Sequence, residues 1–144
     1  MARLVPELTV SDIRRALDFY TGLIGFRILY DRPEQRFAYL DLEGAELMLE
    51  EFSEGPRDWR TGPLENPFGR GMNLQIEVRD VDALHARLTA AHWPIFWPME
   101  ERWYRKDERE VGNRQFLAQD SDGYLLRFFT DLGSRLPPPP PAPS

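Results

Sequence analysis

The chain has 144 residues, 42 % hydrophobic and 29 % charged, with a formal net charge of −6 and no cysteine. This balance fits one soluble globular unit and excludes disulfides, thiolate metal sites and Cys nucleophiles. It also argues against nucleic acid, which needs a basic stripe to release counterions. No apolar run approaches the roughly 20 residues that span a bilayer, and no basic segment followed by an apolar one opens the chain. A cytoplasmic protein without a membrane or nucleic-acid partner is expected.

The first strand sets Leu4, Pro6, Leu8 and Val10 on one face and Val5, Glu7 and Thr9 on the other, because successive strand residues point to opposite sides. Ser11 is a good N-cap for the helix that follows, in which Ile13, Ala16, Leu17 and Tyr20 share a face and Gly25 ends the unit. Phe19 and Tyr20 are expected in the core. The run from Phe37 to Leu42 passes through Glu43-Gly44 into a second strand, forming a hairpin with Leu47 and Leu49 opposed to Glu46, Met48 and Glu50. From Ser53 to Gly71 the pairs Gly55-Pro56, Gly62-Pro63 and Asn66-Pro67 mark a long loop, in which Trp59 and Phe68 are candidates to cover a site.

The second half begins with Leu74, Ile76 and Val78 on one strand face and Asn73, Gln75 and Glu77 on the other. A helix grouping Val81, Leu84 and Leu88 follows. Next come Trp93-Pro-Ile-Phe-Trp97 and Glu100-Glu-Arg-Trp-Tyr104, a concentration of aromatics beside acids. A final hairpin turns at Ser121-Asp122-Gly123, with Leu126 and Phe128 against Leu125, Arg127 and Phe129. Residues 137–144, mostly proline, supply few backbone donors; they form either a passive disordered tail or a ligand for a proline-binding domain.

Leu8-Thr-Val-Ser-Asp-Ile matches Ile76-Glu-Val-Arg-Asp-Val, and the two hairpins also correspond. Strand, helix, strands and hairpin therefore occur twice, and neither half is long enough to bury a core alone. The predicted fold class is α+β: a single domain over residues 1–136, built of two βαβββ modules at about 4–52 and 72–131. Curved mixed sheets carry the helices on their outer face. The helix-free surface becomes a groove with acids at Glu7, Glu46, Glu50 and Glu77, a base at Arg127, and apolar patches at Val5, Met48, Leu125 and Phe129.

Two motifs carry a family resemblance: Val10-Ser-Asp12 leading to Phe19-Tyr-Thr-Gly-Leu-Ile-Gly-Phe26, and the closing segment from Arg114 to Phe128 with Asp120-x-Asp-Gly123. Together they resemble the vicinal oxygen chelate superfamily, and within it the glyoxalase and bleomycin resistance proteins, over about residues 4–131. The resemblance implies a divalent metal in the enzymes of the family, held from the first strand of each module and from each hairpin. The corresponding positions here are Val5, Met48, Asn73 and Arg127. Valine and methionine offer no oxygen or imidazole, Asn73 only a neutral carbonyl, and Arg127 a positive charge, so no metal or other cofactor is expected.

No catalytic residue is nominated. His85 and His92 fall in or near a helix, no Ser-His-Asp spacing occurs, Gly69-Arg-Gly71 is too short for a phosphate loop, and neighbouring acids such as Glu50-Glu51 point apart. What remains is a binding surface. Flat aromatics beside carboxylates favour planar or cationic molecules. The candidate ligand-binding residues are Glu7, Glu46, Met48, Glu50, Asn73, Trp97, Trp103, Tyr104 and Arg127, with Arg127 either receiving a ligand carboxylate or pairing with a nearby Glu. The aromatics divide among core, interface and pocket. The resemblance implies a homodimer that sequesters a small molecule; the competing class is a metal-dependent glyoxalase-type isomerase or ring-cleaving dioxygenase.

Overall fold

The computed structural model describes residues 2–56 and 58–143; Ser144, the last residue of the expected tail, lies outside them. Strand β1 (Glu7–Val10) leads into α1 (Ile13–Leu17), which continues as a π-helical segment, Asp18–Ile24. Then come β2 (Arg27–Arg32), a short 3-10 turn, β3 (Phe37–Leu42) and β4 (Ala45–Glu51). The second half repeats the plan with β5 (Asn73–Glu77), α2 (Val81–Ala90), β6 (Trp97–Lys106), β7 (Arg109–Gln119) and β8 (Leu125–Arg135).

The two sheets share one topology. Their strand orders are β1-β4-β3-β2 and β5-β8-β7-β6, with the first strand of each module parallel to the last and the remaining pairs antiparallel. Both are mixed sheets, and the duplicated motif of the sequence is a duplicated fold.

Each helix begins at an aspartate. Asp12 accepts a hydrogen bond from the Arg15 N–H at 3.1 Å, and Asp80 accepts one from Ala83 at 3.0 Å. The expected cap Ser11 is therefore displaced by its neighbour, because the Ser11 hydroxyl donates instead to Asp122. The π-helical segment closes at Gly25, whose φ of 107° is accessible to glycine at little cost.

The alternation expected on four strands places most of their apolar series inside, but Leu4 precedes β1 and is 86 % exposed, and Leu74 is only partly buried. Leu8, Val10, Leu47, Leu49, Ile76, Val78, Leu126 and Phe128 are all buried, and they join Ala16, Phe19, Tyr20 and Leu88 from the helices in one cluster spanning both modules. The helix-covered faces of the two sheets thus meet in a shared core. Their opposite faces look away from it.

The joint between modules is polar as well as apolar. At the β7–β8 turn, Asp120 accepts the Tyr20 hydroxyl at 2.6 Å while its other oxygen accepts the N–H groups of Asp122 and Tyr124. Asp122 holds Ser11, and the Tyr124 hydroxyl donates to the Thr9 carbonyl at 2.9 Å. Phe68 meets Tyr124 edge-on at 5.9 Å, and its N–H donates to the Asp122 carbonyl. Phe68 of the long loop is thereby a packing residue of this joint. Among the described residues no helix is long and apolar enough to cross a membrane.

Candidate functional site

The helix-free face of the first sheet is acidic and aromatic. Strand register sets Glu7 beside Met48, Thr9 beside Glu50, Tyr39 beside Met48, and Phe37 beside Glu50. Tyr30 stacks on Tyr39 with centroids 5.0 Å apart, and the Arg32 guanidinium lies 4.0 Å from the Phe37 ring centroid. Burial, reinforced by the charge of Glu46, raises the Tyr39 pKa and keeps that phenol neutral. The Glu46 carboxylate also accepts the Ala2 N–H.

Glu7, Thr9, Glu50, Phe52, Asp58 and Trp59 border a cavity of about 270 Å³. Asp58 is held by Arg60 through contacts of 2.9 and 2.7 Å, which lower its pKa. Arg60 itself lies 3.6 Å from the Phe52 ring centroid.

The corresponding face of the second sheet holds a larger cavity, about 630 Å³, lined by Gln75, Tyr104, Val111, Asn113, Arg127 and Asp131 among others. Arg127 stands opposite Gln75 on one side and Leu117 on the other, in the middle of the sheet. Its Nε is buried without a hydrogen-bond partner. The buried Gln115 amide donates to Glu100 at 3.1 Å and to the Tyr104 hydroxyl at 2.7 Å. Hydrogen bonds from Gln115 first and Trp97 second hold the Glu100 carboxyl below its ordinary pKa. Trp97, 50 % exposed, marks the β6 edge of the same sheet.

The family model of the Glyoxalase/Bleomycin resistance protein/Dioxygenase superfamily matches residues 3–128. The chain belongs to that superfamily. A bleomycin resistance protein of Geobacillus stearothermophilus is 27 % identical over 93 % of this chain and 100 % of its own length. The crystal structure of TioX from Micromonospora sp. ML1 is 28 % identical with a TM-score of 0.69, covering 92 % of this chain and 100 % of that one. TnmS3, an antibiotic binding protein from Streptomyces sp. CB03234, is 25 % identical with a TM-score of 0.61, covering 91 % of this chain and 97 % of its own.

The positions to which the family resemblance assigns metal ligands carry poor donors for a hard metal. Met48 lies opposite Glu7 and Arg127 opposite Gln75, while Asn73 lies opposite Leu125. A thioether, an amide and a guanidinium do not make a hard-metal site. Among the described residues no three His, Cys, Asp or Glu side chains converge to hold an ion. His85 meets Phe116 edge-on at 5.0 Å on the helix-covered side.

Of the nine sequence candidates, seven divide between two surfaces instead of lining one groove, and Trp97 lies at the edge of the second, opposite Leu117. Glu7, Glu46, Met48 and Glu50 share the first sheet face, whereas Asn73, Tyr104 and Arg127 share the second. Trp103 belongs to neither. It adjoins Tyr104 on the same strand and so points to the opposite side, over Gly112 and with the Arg135 guanidinium carbon 4.0 Å from its ring centroid. Trp93 is likewise a packing residue: its indole N–H donates to the Gln119 carbonyl at 2.8 Å, and its ring lies 4.8 Å from Phe19.

Further residues line these faces beyond the nine. Asn113 and Gln115 share one face of β7 by simple alternation, a signal present in the sequence. Tyr30 is harder to find, because a bulge between Ile28 and Tyr30 breaks the period-two pattern.

Proposed function

We propose that the protein binds and sequesters a small organic ligand, planar or cationic, without a metal and without transforming it. The observation that carries this reading is the chemistry at the centre of the two open faces. Met48, beside Glu7 on the first face, and Arg127, in the cavity of the second, are the residues that the family resemblance pairs with metal ligands, and neither is a hard-metal donor. The full-length similarity to a bleomycin resistance protein and the likeness to the antibiotic binding protein TnmS3 support it. An isomerase or dioxygenase would need converging metal ligands, and among the described residues no three His, Cys, Asp or Glu side chains converge to hold an ion.

In this reading the protein works as a homodimer in the cytoplasm, and a second copy closes the open faces. Exposed Ile28, Leu29 and Tyr30 on the edge strand β2, with Phe96 and Trp97 at the opposite edge of the other sheet, support association. Light scattering should report a dimer at micromolar concentration.

The deciding experiment is a thermal-shift screen with planar cationic antibiotics, followed by recovery of each bound compound and mass spectrometry. Specific ligands stabilise the native state by mass action. Stabilisation with the compound returned intact is the expected result; a compound returned chemically altered would refute sequestration.

A further inference from the structure

In the cavity on the second sheet Arg127 makes no ion pair with any described residue. Arg27, Arg36, Arg60, Arg70, Arg79, Arg114 and Arg135 each lie within reach of a carboxylate. Arg127 has no such partner among the described residues, and its Nε is buried with no acceptor. A guanidinium stays charged at any physiological pH, and although Arg127 is only partly buried, its buried Nε–H without an acceptor is costly. Carboxylates are nearby. Glu77 shares the same face of β5, and Asp131 lines the same cavity, yet Asp131 accepts the Gly133 N–H at 2.7 Å instead. A second donor faces the cavity too. The Tyr104 hydroxyl accepts from Gln115, which leaves its own proton for another acceptor.

We infer that this cavity binds an organic monocarboxylate, with the carboxylate on the Arg127 guanidinium and the Tyr104 hydroxyl and the apolar body against Val111. The inference rests on the sequestration reading and adds that the bound molecule carries an anionic end. A volume of about 630 Å³ is far larger than an inorganic anion and lies within the range of drug-sized ligands. The planar fork of Arg127 matches a carboxylate through two parallel hydrogen bonds. Asp131 at the wall and a net charge of −6 disfavour a dianion such as a phosphate monoester.

The test titrates the full chain with pyrenebutyric acid and with the neutral pyrenebutanol, in the parent and in Arg127→Met, Arg127→Lys and Tyr104→Phe, with inorganic phosphate as competitor. The parent should prefer the acid by on the order of tenfold or more, the worth of a charge-assisted hydrogen bond. That preference should vanish in Arg127→Met, survive in part in Arg127→Lys, weaken in Tyr104→Phe, and resist millimolar phosphate. Melting curves establish that each variant is folded; if Arg127→Met is not, the lysine and phenylalanine variants carry the test. Equal binding of acid and alcohol, no binding of either, displacement by phosphate, or an undiminished preference in a folded Arg127 variant would overturn the inference. If the acid fails while planar cations still bind intact, this inference alone falls. If a bound compound is returned altered, sequestration falls and the carboxylate site stands.

Discussion

Asp122 grips Ser11 across the module boundary, its carboxylate accepting the Ser11 N–H at 2.9 Å and the Ser11 hydroxyl at 2.5 Å. The contact is made twice in the molecule. Glu43 occupies in the first hairpin the place of Asp122 in the second, and Arg79 follows Val78 as Ser11 follows Val10. Accordingly, Glu43 accepts the Arg79 N–H at 3.1 Å. Each hairpin turn thus clamps the strand-to-helix joint of the other module. The two clamps differ in burial: Asp122 is 4 % exposed, whereas the Glu43 side chain in the second is 34 % exposed.

This asymmetry sets the first expectation. Asp122→Ala leaves the Ser11 donors unmatched in a part-buried joint and should cost about 2–4 kcal/mol of stability. Glu43→Gln keeps an acceptor in water and should cost less than about 1 kcal/mol. Chemical denaturation of both variants measures the difference, and equal losses would contradict the asymmetry.

Asp120 gives a pH expectation. Burial raises its carboxyl pKa in the folded protein, against opposing hydrogen bonds from Tyr20 and the Asp122 and Tyr124 N–H groups. The same burial, with the charges of Asp120 and Asp122, pushes the Tyr124 phenol up to about 12. Because the folded Asp120 pKa exceeds the unfolded value of about 3.9, its protonation favours the fold. That contribution is complete below the unfolded pKa and is lost as pH rises through the folded one. The melting temperature of the parent relative to Asp120→Asn should therefore climb on acidification from neutral pH toward the carboxylate range. A difference that is flat or shrinks over that interval would mean that Asp120 is not held as described.

Legibility in the sequence depends on periodicity. The duplicated modules and the inner residues of four strands follow from alternation, because a strand has only two faces. The clamps do not. Asp120, Asp122 and Ser11 look like ordinary turn and cap residues, and the pairing of Ser11 with Asp122 over 111 positions is a property of the assembled core. The site divides in the same way: alternation puts Glu50 and Arg127 on helix-free faces, but which faces adjoin is decided by packing between modules. Composition groups Trp103 with Tyr104 as stackers, although adjacent strand residues must part.

Trp103 gives a local test of that parting. A Cβ on Gly112 would lie 2.7 Å from three ring atoms of Trp103, so Gly112→Ala must displace the indole and should cost about 1–3 kcal/mol by overpacking. Gly62, where an added Cβ would meet nothing within 4 Å, is the control and should tolerate alanine. Thermal denaturation of the two variants decides the matter, and a neutral Gly112→Ala would place Trp103 elsewhere.

The metal expectation follows from donor chemistry. Protein purified without chelator should contain no stoichiometric transition metal, and EDTA should leave its melting temperature unchanged, since the hairpin positions that the family resemblance pairs with metal ligands are Met48 and Arg127. Elemental analysis finding roughly one Fe, Mn, Ni or Zn per chain would reverse this.

The acids of the first face test the cationic part of the proposed function. Glu46 and Glu50 alternate with Leu47 and Leu49 along β4, the leucines at 2 % and 0 % exposure within the shared core. Replacing both glutamates with glutamine should weaken binding of a planar cation by about 1–3 kcal/mol and flatten its salt dependence, while the fold persists. Truncating Leu49 to alanine should instead cost about 2–5 kcal/mol of stability by opening a cavity beneath α1. The two classes of variant separate electrostatic recognition from support of the core. A double glutamine variant that retains full affinity for a cation bound by the parent would remove the acidic face from the mechanism.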